Sequence, residues 1–326
     1  MKQGNFDSEK ADKELRDRYN IHFVDLLIKK GFKTYLFGGS LRDMVLGKDW
    51  KDADIRVWIP LPPKERDEKT EEILKKANIE IISKIIFNEK FTIYRLLPAG
   101  SKSEGVIDFT VVTKQFEVIP DFTINGLYFD IGAKELIDPH GALEDIQKGI
   151  IRTVLAPEEQ FKLEPHMIYR AVKCACQFGF EIEEKTLEAM KKFSNLNVGT
   201  LEVIADKKVE GMTEWFIGNV FRGIKYNPKL FVKLWNDTGL TTIFVGFVTK
   251  RLNLSTSSSS LDNSLFDEDR KYGYEEALSV FISAVAKSVD PENSENTFSK
   301  IVKLFHVDTP SIYGDFVVDI SKIVYS

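Results

Sequence analysis

The stretch Thr34–Trp58, TYLFGGSLRDMVLGKDWKDADIRVW, constrains the fold more than any other. Its apolar start, Tyr35–Leu36–Phe37, runs into Gly38 and Gly39, the pattern of a short strand ending in a turn. Ser40 with Asp43 three residues on is close to a capping box, so a short helix is expected from Leu41 to Leu46, stopped by Gly47. After a polar turn, Lys48 to Lys51, the segment Asp52–Val57 is expected to form a second strand.

The residue types in this layout carry a specific chemistry. Glycines ahead of a helix let a phosphate approach the backbone, and the helix start offers free N–H groups and partial positive charge. Arg42 falls in the first turn, where the helix dipole disfavours a cation unless an anion is near. Asp52 and Asp54 are two apart on a strand, so their carboxylates share a face and could hold Mg²⁺ beside a triphosphate. A Gly-Gly turn or an Asp-x-Asp pair alone is usually structural. Their succession in this order is much harder to obtain by chance.

At these residues a resemblance becomes plain. Gly38–Gly39–Ser40–Leu41–Arg42–Asp43, Leu46–Gly47 and Asp52–Ala53–Asp54 resemble the head of the bacterial-type poly(A) polymerase and CCA-adding tRNA nucleotidyltransferase family, within the polymerase-beta-like nucleotidyltransferases. Asp121–Phe122–Thr123–Ile124–Asn125 resembles the family's Arg-Arg-Asp-Phe-Thr-Ile-Asn-Ala motif. Ile119 and Pro120 stand where the family has its two arginines, which help to position the nucleotide. Asp138–Pro139–His140–Gly141, Glu144–Asp145 and Gly149–Thr153 are similar to the segment that links the family's head to its helical neck. His140 is read as a turn residue that could also contact phosphate.

The resemblance implies an α+β fold: a mixed-sheet nucleotidyltransferase head, then an all-helical neck and body and a short helical tail. It also implies that Asp108, in the apolar strand Val106–Val112, is the third acid of the site. An acid there is costly unless it is paired or bound to a cation; the competing reading is an edge-strand residue facing water. Asp52, Asp54 and Asp108 would together hold two Mg²⁺ ions. Gly38, Gly39, Ser40 and Arg42 would hold the nucleotide phosphates, and Asp121 and Asn125 would meet the ribose or orient the site.

Phe161–Phe180 resembles the family's neck helix, where an Asp and an Arg form a template for the incoming base. Aligning Arg170 puts Glu164 at the Asp position, Met167 at the Arg position and Lys173 where a further arginine is usual. A bidentate contact to a base edge contributes about 1–3 kcal/mol of discrimination, whereas methionine can only pack. Base choice is therefore expected to be altered or loosened.

The rest of the chain is bounded by composition and periodicity. Its 326 residues suffice for two or three domains, and 43% hydrophobic with 29% charged residues is ordinary for a globular protein. The net charge of −5 argues mildly against coating nucleic acid by bulk charge, while leaving room for an RNA end in a local cleft. The polar start shows no signal peptide, and no run spans a membrane. Cys174 and Cys176 would point to different faces of a helix, so neither a disulfide nor a metal pair is expected and the cytoplasm fits.

Helical spacing predicts one amphipathic helix over Ser8–Lys30 and a charged helix over Lys64–Ala77, its charge run read as a solvated face. Strands are expected at Ile79–Ile86, Phe91–Leu97 and Val106–Val112, the last two as a hairpin, with a second hairpin over Leu127–Ile137. Helices follow from Glu183, with Trp215, Phe216, Phe221, Leu230, Phe231, Leu234 and Trp235 as core. The expected division is a catalytic head over 1–152, a helical neck and body over 153–250, a Ser-rich mobile linker over 251–269 and a small helical tail over 270–326. Family members usually carry a longer tail, so this chain is expected to be truncated or divergent.

Three functions are compatible with these residues. The first is transfer of a nucleoside monophosphate from an NTP to an RNA 3′-hydroxyl, of a tRNA or another RNA, with ATP and also CTP as candidate nucleotides. Poly(A) and CCA addition are not separated by the sequence. The second is a non-catalytic RNA-binding module on the same fold, suggested by the missing arginines and opposed by three acids whose mutual repulsion is costly without a metal. The third is nucleotidyl transfer to a non-RNA acceptor, an argument from fold analogy.

Overall fold

The computed structural model describes residues 6–50, 53–87, 90–98, 106–115, 121–208, 212–254, 261 and 273–305. Asp52, Ile119, Pro120 and most of the Ser-rich segment lie outside them. The chain divides into two compact units, Met1–Lys148 and Gly149–Ser326.

The first unit opens with two helices where one was expected: α1 (Ser8–Arg18) and α2 (His22–Lys29). The break has two causes, one distant in the sequence and one local. Tyr19 turns extended and stacks on Trp50 at 5.9 Å, while the Asn20 side chain bonds the His22 ring at 2.8 Å. Such side-chain bonds compete with helix continuation. Then come β1 (Lys33–Phe37), α3 (Gly39–Val45), β2 (Ala53–Trp58) and α4 (Pro63–Lys76). The remaining elements of the unit are β3 (Ile79–Phe87), β4 (Phe91–Pro98), β5 (Ile107–Val112), a 3₁₀ turn (Thr123–Asn125), β6 (Tyr128–Asp130), β7 (Glu135–Ile137) and α5 (Ala142–Lys148).

The seven strands form one mixed sheet in the order β3-β4-β5-β2-β1-β6-β7. Only β2 and β5 run parallel; the other neighbours are antiparallel, and both expected hairpins form. Alternation along β4 is clear: Thr92, Tyr94 and Leu96 are buried, while Arg95 and Leu97 are exposed. The buried face carries the helices, as in the edge contact of Phe23 from α2 with Phe109 at 5.4 Å. Its apolar strand residues are what fix the register, because a slip of one position would turn them to solvent.

The charge run of α4 is not wholly solvated. Arg66 is fully buried and donates to Asp67 and Thr92 side chains, to the Lys90 carbonyl and to the Thr113 hydroxyl at 2.8–3.0 Å. A buried guanidinium is tolerable only with its donors satisfied in this way.

Among its described residues the second unit is built of helices and one two-residue parallel pair, β8 (Ile150–Ile151) with β9 (Glu181–Ile182). Its helices are α6 (Pro157–Leu163), α7 (Met167–Phe178), α8 (Glu184–Phe193), α9 (Asn197–Ala205) and α10 (Met212–Tyr226). They continue with α11 (Pro228–Asp237), α12 (Leu240–Leu252), α13 (Tyr274–Val289) and α14 (Ser294–Leu304). The neck stretch expected as one helix is two, because Pro165 disfavours helical backbone at Glu164, which takes φ −134° and ψ 73°. Phe216, Phe221, Phe231, Leu234 and Trp235 are core, with Trp215 and Leu230 half-buried. Phe281 of α13 lies 5.0 Å from Trp235 and 5.4 Å from Phe244, so the last helices share this core.

Candidate active site

The glycine turn is built by backbone geometry. Gly38 caps α3 with φ 78° and ψ −139°, a region essentially reserved for glycine. A side chain here would start 3.7 Å from Asp54 Oδ2. The capping box does not form: Ser40 lies inside the helix and its hydroxyl donates to the Phe37 carbonyl at 3.3 Å, while Asp43 accepts from Arg42. Gly38, having no side chain to offer, leaves the start of α3 open.

Arg42 resolves the dipole conflict by turning inward. It is only 8% exposed, donates from Nε to Asp43 at 2.9 Å and from Nη1 to Asn125 Oδ1 at 2.5 Å. Asn125 in turn donates to Asp121 Oδ1 at 2.8 Å, which also accepts from the Phe122 amide. A chain of four side chains, Asp43–Arg42–Asn125–Asp121, buried at Arg42 and Asn125, thus fastens the glycine turn to the segment Asp121–Asn125. Arg42 Nη2 sits 3.3 Å from where a Gly39 side chain would begin, so its charge lies directly behind the turn.

The 3₁₀ turn carrying Asn125 is anchored from α5. Thr123 donates to the buried Asp145 at 2.6 Å, and Asp138 caps α5 through the Ala142 and Leu143 amides. His140 is half-buried against Gly126, where any side chain would begin 3.0 Å from its ring. Burial pushes the His140 imidazole below its ordinary pKa, against the pull of Asp138.

The acids come together through strand register. Asp54 and Asp108 are direct partners in the parallel β2–β5 pair, and β5 is a central strand, so the edge-strand reading of Asp108 is excluded. Asp108 is 41% exposed and bonds Arg95, its partner on β4, at 3.0 and 3.4 Å. Among the described residues no cluster of three potential metal ligands occurs; Asp52 lies outside them.

Two cations were missed by sequence reasoning. Arg56 shares the Asp54 face, is 3% exposed, lies 4.0 Å over the Phe37 ring and donates to the Tyr128 hydroxyl at 3.0 Å. Desolvation lowers its pKa, opposed by Tyr128 and Asp54. Its place two residues after Asp54 was the available signal. Arg95 had none, since only the β4–β5 register brings it to Asp108. Glu164, Arg170 and Lys173 belong to the second unit. Glu164 ends α6 and accepts from Gln160 at 2.7 Å, while Arg170 and the buried Lys173 lie on α7.

Residues 34–152 match the family described as poly A polymerase head domain. Relatives include CCA-adding enzymes of Ligilactobacillus salivarius, 30% identical over 249 residues, and of Bacillus pumilus, 28% identical over 201 residues. The head of the chain thus carries this family's domain, and the chain is a distant relative of these enzymes. The Ligilactobacillus match covers 76% of this chain and 59% of the relative; the Bacillus match covers 59% and 49%. Poly(A) polymerase I of Salmonella typhi is 26% identical over 193 residues, covering 52% of this chain and 39% of that protein. The chain thus spans about half the length of the curated relatives it matches.

The fold agrees with solved structures. A Bacillus stearothermophilus CCA-adding enzyme in complex with CTP superposes with a TM-score of 0.51 at 18% identity, over 90% of this chain and 82% of that one. A Thermotoga maritima CCA-adding enzyme complexed with tRNA gives 0.53 at 19%, over 89% and 72%. At such identity the likeness concerns fold. Among the described residues no helix is long and apolar enough to cross a membrane.

Proposed function

We propose that this chain is a divergent member of that family and transfers a nucleoside monophosphate from an NTP to the 3′-hydroxyl of an RNA, releasing pyrophosphate. The observation that carries the reading is the placement of Gly38 against Asp54, with Asp108 directly opposite Asp54 and the charge of Arg42 behind the turn.

The donor set fits Mg²⁺, which prefers hard oxygen ligands held by few carboxylates alongside substrate phosphates. Asp52, Asp54 and Asp108 would hold it. Bound there, two such ions would lower the pKa of the attacking hydroxyl and neutralise the leaving phosphates. The chain's own groups do the rest. The backbone of Gly38, Gly39 and Ser40 lets the β- and γ-phosphates approach, and Arg42 adds positive charge from behind without leaving its buried bonds. Asp121 and Asn125 keep that turn in one orientation. Arg56, beneath Asp54, partly offsets the charge of the acids before any cation arrives.

Glu164, Arg170 and Lys173 are assigned to the nucleotide side of the second unit, with Met167 in place of the template arginine loosening base choice. ATP and CTP are the nucleotides to expect, and a tRNA or another RNA the acceptor. Two buried thiols without a disulfide suit the cytoplasm. A non-RNA acceptor is the second reading, favoured by the net charge of −5.

The test is nucleotide incorporation with Mg²⁺, each NTP in turn and two acceptors, a tRNA lacking its 3′ CCA and an unstructured RNA. Incorporation that vanishes in Asp54→Ala supports the enzyme. NTP binding without incorporation turns the search to another acceptor. Loss of both leaves only a binding module.

A further inference from the structure

We propose that Arg95 binds a phosphate of the acceptor strand, the polynucleotide whose 3′-hydroxyl is extended. The inference rests on the nucleotidyl-transfer reading above and deepens it.

Register orders the groups across the sheet. Asp54 on β2 faces Asp108 on β5, and Asp108 faces Arg95 on β4. Gly38 lies on the other side of Asp54, at the end of β1. The row therefore runs Gly38, Asp54, Asp108, Arg95, and its ends are about three strand spacings of ~4.8 Å apart.

Displacement at phosphorus in this chemistry is in line: the attacking oxygen enters opposite the departing one. With the leaving pyrophosphate at the Gly38–Gly39 turn, the attacking hydroxyl must arrive from the Asp108 side. The 3′ end of the acceptor then passes over β5 and β4. The 3′ oxygen forms the new bond to the α-phosphorus, the bond to the bridging oxygen breaks, and the pyrophosphate leaves with its electron pair on the turn side.

Arg95 stands in that path. Its side chain is 50% exposed, and the Asp108 carboxylate is met by Nε and Nη2. A guanidinium offers five donors in a fixed fork, so one edge can hold a carboxylate while another meets phosphate. On β3 Arg95 is paired with Ser83, and its exposed neighbours on this face include Ile85 at 52%, Leu97 at 40% and Glu80.

The experiment measures binding of a short fluorescent single-stranded RNA to the full chain by anisotropy, across a roughly tenfold range of salt, beside Mg²⁺-dependent ATP binding. One phosphate contact on a single strand contributes about 0.7 to the slope of log affinity against log salt. Arg95→Gln is expected to flatten the slope by about that amount and to weaken binding about fivefold at 0.1 M salt. ATP affinity should stay within about twofold, which also reports that the variant is folded. Arg95→Lys, keeping a point charge, should restore most of the slope.

An unchanged salt slope in Arg95→Gln overturns the proposal. So does a loss of ATP affinity equal to the loss of RNA affinity, which would make Arg95 a positioning residue for Asp108 alone. Wild-type protein that binds Mg²⁺ and ATP but no RNA overturns it too, while leaving transfer to another acceptor standing. Wild-type protein that binds neither overturns the functional reading and this inference with it.

Discussion

The buried bond from Arg42 to Asn125 offers the sharpest test of how the site is held. It joins two sequence segments 83 positions apart, at 2.5 Å, between side chains exposed by only 8% and 6%. A hydrogen bond to a charged partner contributes about 1.5–3 kcal/mol net. Arg42→Met removes it and leaves Asn125 Oδ1 without that donor in a buried setting; Asn125→Leu removes the acceptor and the bond to Asp121. Each single variant loses other contacts as well, so only a double-mutant cycle isolates the pair. The expected coupling is about 1.5–3 kcal/mol, stabilising.

Hydrogen exchange of the full chain reads this locally. The amides of Asn125 and Gly126 bond the Phe122 and Thr123 carbonyls at 3.0 and 2.7 Å, so their opening free energy reports the turn itself, whatever the second unit does. Arg42→Lys should behave nearly like Arg42→Met, because an ammonium lacks the fork that spans Asp43 and Asn125 together. A coupling below about 0.5 kcal/mol, or Arg42→Lys matching wild type, would refute the claim that this fork fastens the turn.

Other outcomes follow from the same geometry. Gly38→Ala should destabilise the first unit by about 1–3 kcal/mol through backbone strain alone and weaken Mg²⁺-dependent ATP binding, as seen by thermal melts and titration. Gly47→Ala, also at positive φ (66°) but with nothing near its added carbon, should melt earlier while binding ATP normally. His166, half-buried against Trp215 at 5.1 Å and beside Glu164 and Arg170, has its pKa lowered chiefly by desolvation. The unfolded chain then takes the proton first, so stability should fall as pH drops below about 6.5 and level off below the folded pKa. His166→Gln should flatten that part of a urea-midpoint profile. Burial raises the Cys176 thiol, so a thiol reagent at mildly alkaline pH should label neither cysteine in the native protein and both after unfolding.

Much of the first unit was legible because its signals are local. The strand Tyr35–Phe37, the glycine turn, the short helix and the strand ending at Trp58 follow from residues within a few positions of each other, as do both hairpins. Two of the misses come from partners distant in the sequence. The helix over Ser8–Lys30 breaks because Tyr19 finds Trp50, a partner 31 positions away. The charge run of α4 contains Arg66, which only the strands β4 and β5 could bury. At Glu164 the breaker, Pro165, was in plain view, and the family pattern of a continuous neck helix outweighed it.

The groups of the proposed site can be read along the chain: two glycines that admit a phosphate, acids spaced for one strand face, and the segment Asp121–Asn125. Backbone sterics and a side-chain period of two are properties of adjacent residues, so they can be read along the chain. How these groups meet is not written in any one segment. Asp54 opposite Asp108, Arg95 beyond it, Arg56 beneath and Arg42 bonded to Asn125 depend on strand order and register. Those are set by burying the apolar face of a seven-stranded sheet as a whole, and no single segment carries that information.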